Sequence, residues 1–281
     1  MSKKNKEILI KILIHGFFIL FAFITLIPIL YAVSVSFNGS NSIVSSDFSF
    51  IPKNLTFNNY LKVFKEEPLL TWASNTLILA IVTLLVSLSV GIPAAYAFSR
   101  KRFKGSKSLQ KSLILLNAFP SILSMFAIWY LMSGPIPLVN THIGLILIYS
   151  GTMGIFTIIN LKGYFDTIPV ALEEAARIDG ANEFQIVLKI LLPLSRPAII
   201  VTGMMIVIFV WNEYIFSSTF MTGEENYTLA GGLYGLQAGE MSGSWPVFAA
   251  ASIIISIPVL IIFLKVQKYM TSGLTVGGVK E

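Results

Sequence analysis

The chain has 281 residues, of which 55% are hydrophobic and 12% charged, with a net charge of +6 and no cysteine; its mean hydropathy is +0.78. A soluble domain carries roughly 25% charged residues, so this balance excludes an ordinary globular protein and points to an integral membrane protein. The lack of cysteine excludes a disulfide framework or a thiolate metal site, and His15 and His142 are too isolated to form a metal centre.

Six apolar segments follow one another, each about 20 residues long and able as a helix to cross a hydrocarbon core of about 30 Å. The first, 12–33, follows Lys3, Lys4, Lys6 and Lys11. It exceeds the roughly 7–15 apolar residues of a signal peptide, and Ala32-Val33-Ser34 is a weak cleavage site, so it is expected to remain as a helix. The second, 75–98, runs into the basic cluster Arg100, Lys101, Arg102, Lys104, Lys107 and Lys111. The third, 113–131, and fourth, 143–161, contain Asn117 and Asn160; the fifth, 198–220, contains Trp211, Asn212 and Glu213; the sixth is 247–264. Backbone polar groups find no partners in lipid, so all six are expected to be helices. Pro28, Pro93, Pro120 and Pro258 are tolerated where neighbouring helices satisfy the freed groups. The expected fold class is all-α integral membrane: a single domain over 1–281 with six transmembrane helices.

Cations concentrate on alternate connections: the N-terminus, the cluster after the second segment, then Lys162, Arg177, Lys189 and Arg196, and finally Lys265, Lys268 and Lys280. The other connections hold only Lys53, Lys62 and Lys65. The positive-inside rule therefore places both termini in the cytoplasm, in a multi-pass membrane protein. The same asymmetry explains the positive charge as a topology signal, with no nucleic acid as partner. The outward connections, 34–74, 132–142 and 221–246, are polar and Gly-rich, and offer either a docking surface for an extracytoplasmic partner or plain loops.

Polar residues inside apolar segments are the candidates for a gate or path. Asn117 and Asn160 are expected to bridge helices or to touch substrate. Glu213 lies about 25 Å of helix beyond Arg196, near the outer boundary. With Trp211 and Asn212 it suits a structural or gate-side hydrogen-bonding role better than proton coupling. No Gly-Lys dipeptide occurs, so no Walker A loop exists to hold nucleotide, and no catalytic constellation is legible. The chain is expected not to be an enzyme and to bind neither cofactor nor metal, drawing energy from a partner or an ion gradient.

Between the fourth and fifth segments lies EEAARIDGANEFQIVLKILLP, Glu173–Pro193. Pro169 suits a first turn, and Glu173 and Glu174 sit near the positive end of the helix dipole. Leu172, Ala175 and Ala176 share one face, while Glu173 and Arg177 are spaced for an ion pair. Gly180 stands where a left-handed residue would end this helix. Asn182 with Gln185 forms a capping-box pattern opening a second helix, with Phe184, Val187, Leu188 and Leu191 as its apolar stripe and Pro193 as its stop. The segment 166–193 thus reads as a helix–turn–helix elbow, which can dock a protein or rest on lipid.

Glu174-Ala175-Ala176, Gly180, Ile190 and Leu192-Pro193 match EAA-x3-G-x9-I-x-L-P at every specified position. This motif resembles the signature of membrane subunits of bacterial ABC importers. Asn75-Thr76-Leu77, AYAFSRKRFKG at Ala95–Gly105, WNEY at Trp211–Tyr214 and GLTVGGVK at Gly273–Lys280 are similar to sugar permeases of the maltose-transporter type. The resemblance implies a permease subunit importing an oligosaccharide, maltose or maltodextrin first. Its partners would be a second permease subunit in a heterodimer, two ATPase subunits using ATP and Mg, an extracytoplasmic sugar-binding protein and the lipid bilayer. Glu174, Ala175, Ala176, Asp179 and Gly180 would make the ATPase contact. The C-terminal tail, 272–281, would reach the ATPase through Gly273, Thr275, Gly277 and Gly278. An importer of another sugar would use the same elbow. An ion-coupled secondary transporter would instead need ionisable groups in mid-membrane or broken helices in matched repeats, which the sequence does not offer.

Overall fold

The computed structural model describes residues 3–39, 50–52, 54–135, 137–238 and 244–276. The helices, in chain order, are α1 (Lys3–Ser36), α2 (Asn58–Glu66), α3 (Leu69–Arg100), α4 (Ser106–Ala118), α5 (Ser121–Met132) and α6 (His142–Phe165). Then come α7 (Ala171–Ile178), α8 (Glu183–Ile186), a π-helical turn (Val187–Leu191), α9 (Leu192–Leu194), α10 (Arg196–Asn212), α11 (Ile215–Phe220), α12 (Leu229–Ala238) and α13 (Trp245–Val276). Among the described residues no strand forms, and an isolated antiparallel bridge joins Asn38 to Leu55.

Four helices are long and apolar enough to cross a membrane: α1, α3, α6 and α13. Two bent pairs raise this to six if each counts as one crossing: α4 with α5, at 96°, and Glu183–Leu194 with α10, at 79°. The expected third span, 113–131, is therefore no straight helix. Pro120 disfavours the α region for the residue before it, and Phe119 is extended (φ −73°, ψ 130°). The expected fifth span, 198–220, is interrupted too, because α10 ends at Asn212 and α11 begins only at Ile215. By contrast Pro28, Pro93 and Pro258 lie inside continuous helices. The last helix runs beyond residue 264 to Val276, into the segment expected as a polar tail.

The chain divides into two compact units, one of residues 1–67 and 233–256, the other of residues 68–232 and 257–281. In the first unit the apolar stretch of α1 is exposed along its length, with Phe17 and Phe23 more than half accessible. Its end is pinned by α2. Asn59 Nδ2 donates to the carbonyls of Ser36 and Asn38 at 2.8 and 2.9 Å, the hydroxyls of Ser36 and Tyr60 meet at 2.8 Å, and Phe37 packs on Phe57 and Tyr60.

The second unit is built on α3 and α6, which run parallel. One apolar cluster joins Leu79 and Ala80 to Leu145, Ile148 and Tyr149, with Val210, Phe216, Phe220 and Met221. Farther along both helices, a second joins Ala95 and Tyr96 to Leu161, Phe165, Ile168 and Leu191. Between the clusters α3 presents a buried ridge of small residues, Thr83, Ser87 and Gly91, which lets two backbones approach closely. A Cβ on Gly91 would lie 2.7 Å from Thr157 Cβ and 2.3 Å from Thr157 Cγ2. Thr157 is held in place by its own bond to the Met153 carbonyl, so the helices themselves would have to separate. Gly91→Ala is accordingly expected to cost about 1–3 kcal/mol, read as a lower thermal midpoint of the detergent-solubilised protein. Gly151→Ala on α6, where a Cβ meets open space, is the control expected to leave the midpoint unchanged.

At the Leu69 end of α3, Trp72 Nε1 donates to Glu224 O (2.9 Å), and Asn75 Nδ2 donates to Glu225 O and Tyr227 O (2.8 and 3.0 Å). Thr76 Oγ1 accepts from Leu229 N at 2.8 Å. These bonds fix the turn at Glu224–Asn226. Asn75 and Thr76, conspicuous in the sequence, are thus backbone-satisfying residues at the head of α3.

Candidate functional site

Local chemistry builds the elbow as its sequence implies. Helix α7 ends in a Schellman motif: Ala181 N bonds to Ala176 O (2.9 Å), Gly180 N to Arg177 O (3.1 Å), and Gly180 takes φ +87°. A side chain in that left-handed region is strained, which is why glycine stands there. Two residues on, Asn182 Oδ1 accepts from Gln185 N (2.9 Å) and Gln185 Oε1 from Asn182 N (3.0 Å), a complete capping box. Pro193 does not stop this helix, contrary to expectation. It lies in the first turn of α9, after a π turn in which Leu192 N reaches back five residues to Val187 O. The π turn relieves the missing proline N–H and the ring clash that an α-turn would meet at Lys189 O. The bend comes later, at Ser195.

The burial pattern of α7 is the reverse of a simple amphipathic helix. Glu173 is fully buried, whereas Leu172 is 46% and Ile178 87% exposed. Glu174, Ala175, Asp179 and Gly180 are exposed and Ala176 is partly so. Phe184, opening the second helix, is 72% exposed. The face of small and apolar residues with Glu174 and Asp179 therefore points outward, and a carboxylate points in.

What receives that carboxylate is Arg100, the last residue of α3. Its Nε donates to Glu173 Oε1 at 2.6 Å, and the two side chains are 6% and 0% exposed. Its Nη2 donates to Phe165 O (2.8 Å) and Ile168 O (2.9 Å), and its Nη1 to Ser99 Oγ (2.8 Å). Phe165 ends α6, so one guanidinium caps the carbonyl end of α6 while pairing with an acid in the first turn of α7. Removing one partner of such a buried pair costs about 3–5 kcal/mol, because the other charge stays buried alone.

A more exposed set of contacts continues outward. Arg177 lies 3.5 Å from Glu173 Oε2 and donates to Glu183 Oε1 at 3.0 Å. Glu183 also meets Lys101 Nζ (2.9 Å) and the Tyr96 hydroxyl (2.5 Å). On the other side Ser99 Oγ donates to Asp166 Oδ1 (2.5 Å), and Lys162 Nζ to Asp166 Oδ2 (2.6 Å). Hydrogen bonds from Arg177, Tyr96 and Lys101 hold the Glu183 carboxyl down to about 2. Its folded value is depressed, so its contribution is present above the ordinary carboxylate range and fades as pH falls from about 4.5 towards 2. The Glu183 contacts therefore persist throughout the neutral range. With Glu183 47% exposed, each is worth little alone.

The other candidates are scattered. Asn117 is exposed on α4. Asn160 donates to Phe156 O (2.9 Å) and lines a shallow groove with Tyr164, Thr167, Ala198, Val201 and Thr202. Trp211 is buried and Asn212 donates to Ile208 O (2.8 Å). Glu213 closes the first turn of α11, accepting from Phe216 N (2.9 Å) and Ser217 N (3.1 Å) and from the hydroxyl of fully buried Tyr149. Gly273 and Thr275 lie on α13, while Gly277 and Gly278 fall outside the described residues. Among the described residues no cluster of His, Asp or Glu could hold a metal ion. Sequence reasoning missed the role of Arg100, which it read as part of a topology signal and of the stretch AYAFSRKRFKG. The available clue was Glu173, an acid adjoining the outward small-residue face and requiring an inward cation.

The chain is similar to known proteins over most of its length. Residues 87–274 match the family model described as binding-protein-dependent transport system inner membrane component. The chain is 38% identical over 269 residues to the galactooligosaccharides transport system permease protein GanQ of Bacillus subtilis, covering 94% of each chain. It is 34% identical over 281 residues to the maltose/maltodextrin transport system permease protein MalG of Vibrio vulnificus, covering 93% of each. A chain in the crystal structure of a bacterial ABC transporter that imports the acidic polysaccharide alginate superposes with a TM-score of 0.79 at 26% identity, covering 96% of this chain and 98% of that one. With its apolar helices and its elbow, the chain is a multi-pass membrane permease that belongs to the inner-membrane-component family of binding-protein-dependent transport systems.

Proposed function

We propose that the chain is the permease subunit of an ATP-driven importer of a neutral oligosaccharide, maltose or maltodextrin first, handed over by an extracytoplasmic binding protein. The observation that carries this reading is the outward face of α7: small and apolar residues with Glu174 and Asp179, held by a buried ion pair behind it. Such a face suits a protein socket better than lipid, where Glu174 and Asp179 would sit beside exposed Leu172 and Ile178 at a cost.

On this reading Glu174, Ala175, Ala176, Asp179 and Gly180 contact an ATPase subunit, one of two, that carries the ATP and Mg chemistry. A second, different permease completes the pathway. The distribution of lysine and arginine supports a cytoplasmic position for both termini, where Gly273, Thr275, Gly277 and Gly278 meet the ATPase. Asn117, Asn160, Trp211, Asn212 and Glu213 belong to the gate or path, with Glu213 as its fixed structural element. A galactooligosaccharide is the second reading, favoured by the 38% identity to GanQ.

The test is reconstitution of the chain with its ATPase and second permease in proteoliposomes. The binding protein loaded with maltodextrin is expected to stimulate ATP hydrolysis and drive uptake of that sugar. Stimulation only with galactooligosaccharide would move the substrate to the second reading. Hydrolysis indifferent to any loaded binding protein would refute the importer function.

A further inference from the structure

We propose that Arg100 is the positioning residue through which movement of the elbow reaches the transmembrane pair α3 and α6. This rests on the coupling role given above to α7. Backwards along the chain α7 joins α6 directly through residues 166–170, whose Ile168 carbonyl Arg100 itself holds; a push or pull at the outward face of α7 has two further routes into the membrane helices. The covalent route runs from α8 through the π turn at Val187–Leu191 and around the 79° bend at Ser195 into α10. A widened turn followed by a sharp bend is a compliant path.

The other route is through space and is stiff. Arg100 holds Glu173 of α7, the carbonyl of Phe165 at the end of α6 and that of Ile168 in the link beyond it, and Ser99 beside it on α3, with all four contacts between 2.6 and 2.9 Å. Three elements thus converge on one planar guanidinium that is 6% exposed. Ser99 extends the junction to Asp166, where Lys162 anchors it back on α6. The helices so joined are locked to each other where Gly91 meets Thr157, so α3 and α6 move together. The surface contacts of Glu183 with Lys101 and Arg177 lie in solvent, where salt screens them. They trim the alignment, while the buried junction transmits it.

Lysine cannot replace this residue: a single ammonium lacks the rigid fork that addresses an acid and separate carbonyls at once. The role is that of a joint, distinct from the outward residues that meet the ATPase.

The experiment uses the full reconstituted transporter and reads basal hydrolysis, its stimulation by the loaded binding protein, and sugar taken up per ATP. Arg100→Gln is expected to keep basal hydrolysis while stimulation and uptake per ATP both fall about tenfold, since the signal from the binding protein crosses the same joint in the opposite direction. Arg100→Lys and Glu173→Gln should show the same split, and they test the proposal even if Arg100→Gln fails to assemble. A rescue separates transmission from mere folding. The chain has no cysteine, so Lys101→Cys and Glu183→Cys, neighbours across the same gap, can be joined by a short bis-maleimide after reconstitution. Joining them in the Arg100→Gln background is expected to restore most of the uptake per ATP, which a link added after folding would not do for a residue that only stabilises the fold. Wild-type uptake per ATP in these variants would overturn the proposal, as would loss of uptake that cross-linking leaves unchanged. Failure of the importer reading is a different result, since the unmodified transporter would then show no stimulation at all.

Discussion

Gly180→Val is expected to uncouple ATP hydrolysis from transport while leaving the protein inserted and folded. The backbone at Gly180 has φ +87°, and a Cβ built there meets nothing within 4 Å. Within the chain the substitution therefore has no steric neighbour to disturb, and its effect on the elbow itself is conformational. Left-handed backbone costs an ordinary residue roughly 1–2 kcal/mol, and a β-branched one more. The turn relieves that strain by opening the Schellman bonds of Ala181 to Ala176 and Gly180 to Arg177, which re-aims α8 against α7. On the proposed coupling role, sugar uptake in proteoliposomes should fall about tenfold with basal hydrolysis retained. Gly180→Asn, which tolerates the left-handed region, should lie between Val and the parent. Equal uptake in the parent and Val proteins would remove Gly180 from the coupling contact.

Glu213→Leu is expected to be the most destabilising single change in the gate segment. It would strip the acceptor from two backbone N–H groups of α11 and from the buried Tyr149 hydroxyl at once. A lost cap costs about 0.5–2 kcal/mol and a buried orphaned hydroxyl about 1–3 kcal/mol, so the sum is about 1.5–5 kcal/mol. Glu213→Gln keeps an acceptor oxygen and should lose less than half of that. The thermal midpoint of the solubilised protein gives the order Leu, then Gln, then parent. Uptake by the Gln variant separates the two roles for this acid. Retained uptake fits a structural cap, whereas abolished uptake with an unchanged midpoint would point to proton chemistry.

Which parts of this molecule could be read from sequence follows from the range of the forces involved. The apolar runs that became α1, α3, α6 and α13 depend on composition alone, and lipid leaves such a run little choice but helix. The Gly180 cap and the Asn182–Gln185 box are equally local, since both bonding partners lie within six residues. The breaks were harder. Pro28, Pro93 and Pro258 are absorbed into continuous helices whereas Pro120 ends one, a difference that the presence of a proline does not by itself foretell. Arg100 was hidden for another reason. Its partners stand 65 to 73 positions away, and an arginine closing an apolar helix already has a sufficient explanation in membrane topology. Glu213 was placed near the end of a long helix, and its role as the cap of a second short one needed the break at Tyr214 to become visible.

The π turn at Val187–Leu191 has a consequence for how the elbow is oriented. It accommodates one residue more than an α-helical path between the same two points would need. Each residue of a helix advances the chain by roughly 100° around its axis. Deleting one residue there would close the turn to ordinary α winding between the same two points and leave the flanking segments at nearly the same bearing, whereas a residue added or removed in the α-helical turns beside it would swing the elbow by about a quarter of a revolution relative to α10. The π turn thus acts as slack in the winding: it absorbs a single amino acid without re-aiming the outward face of α7.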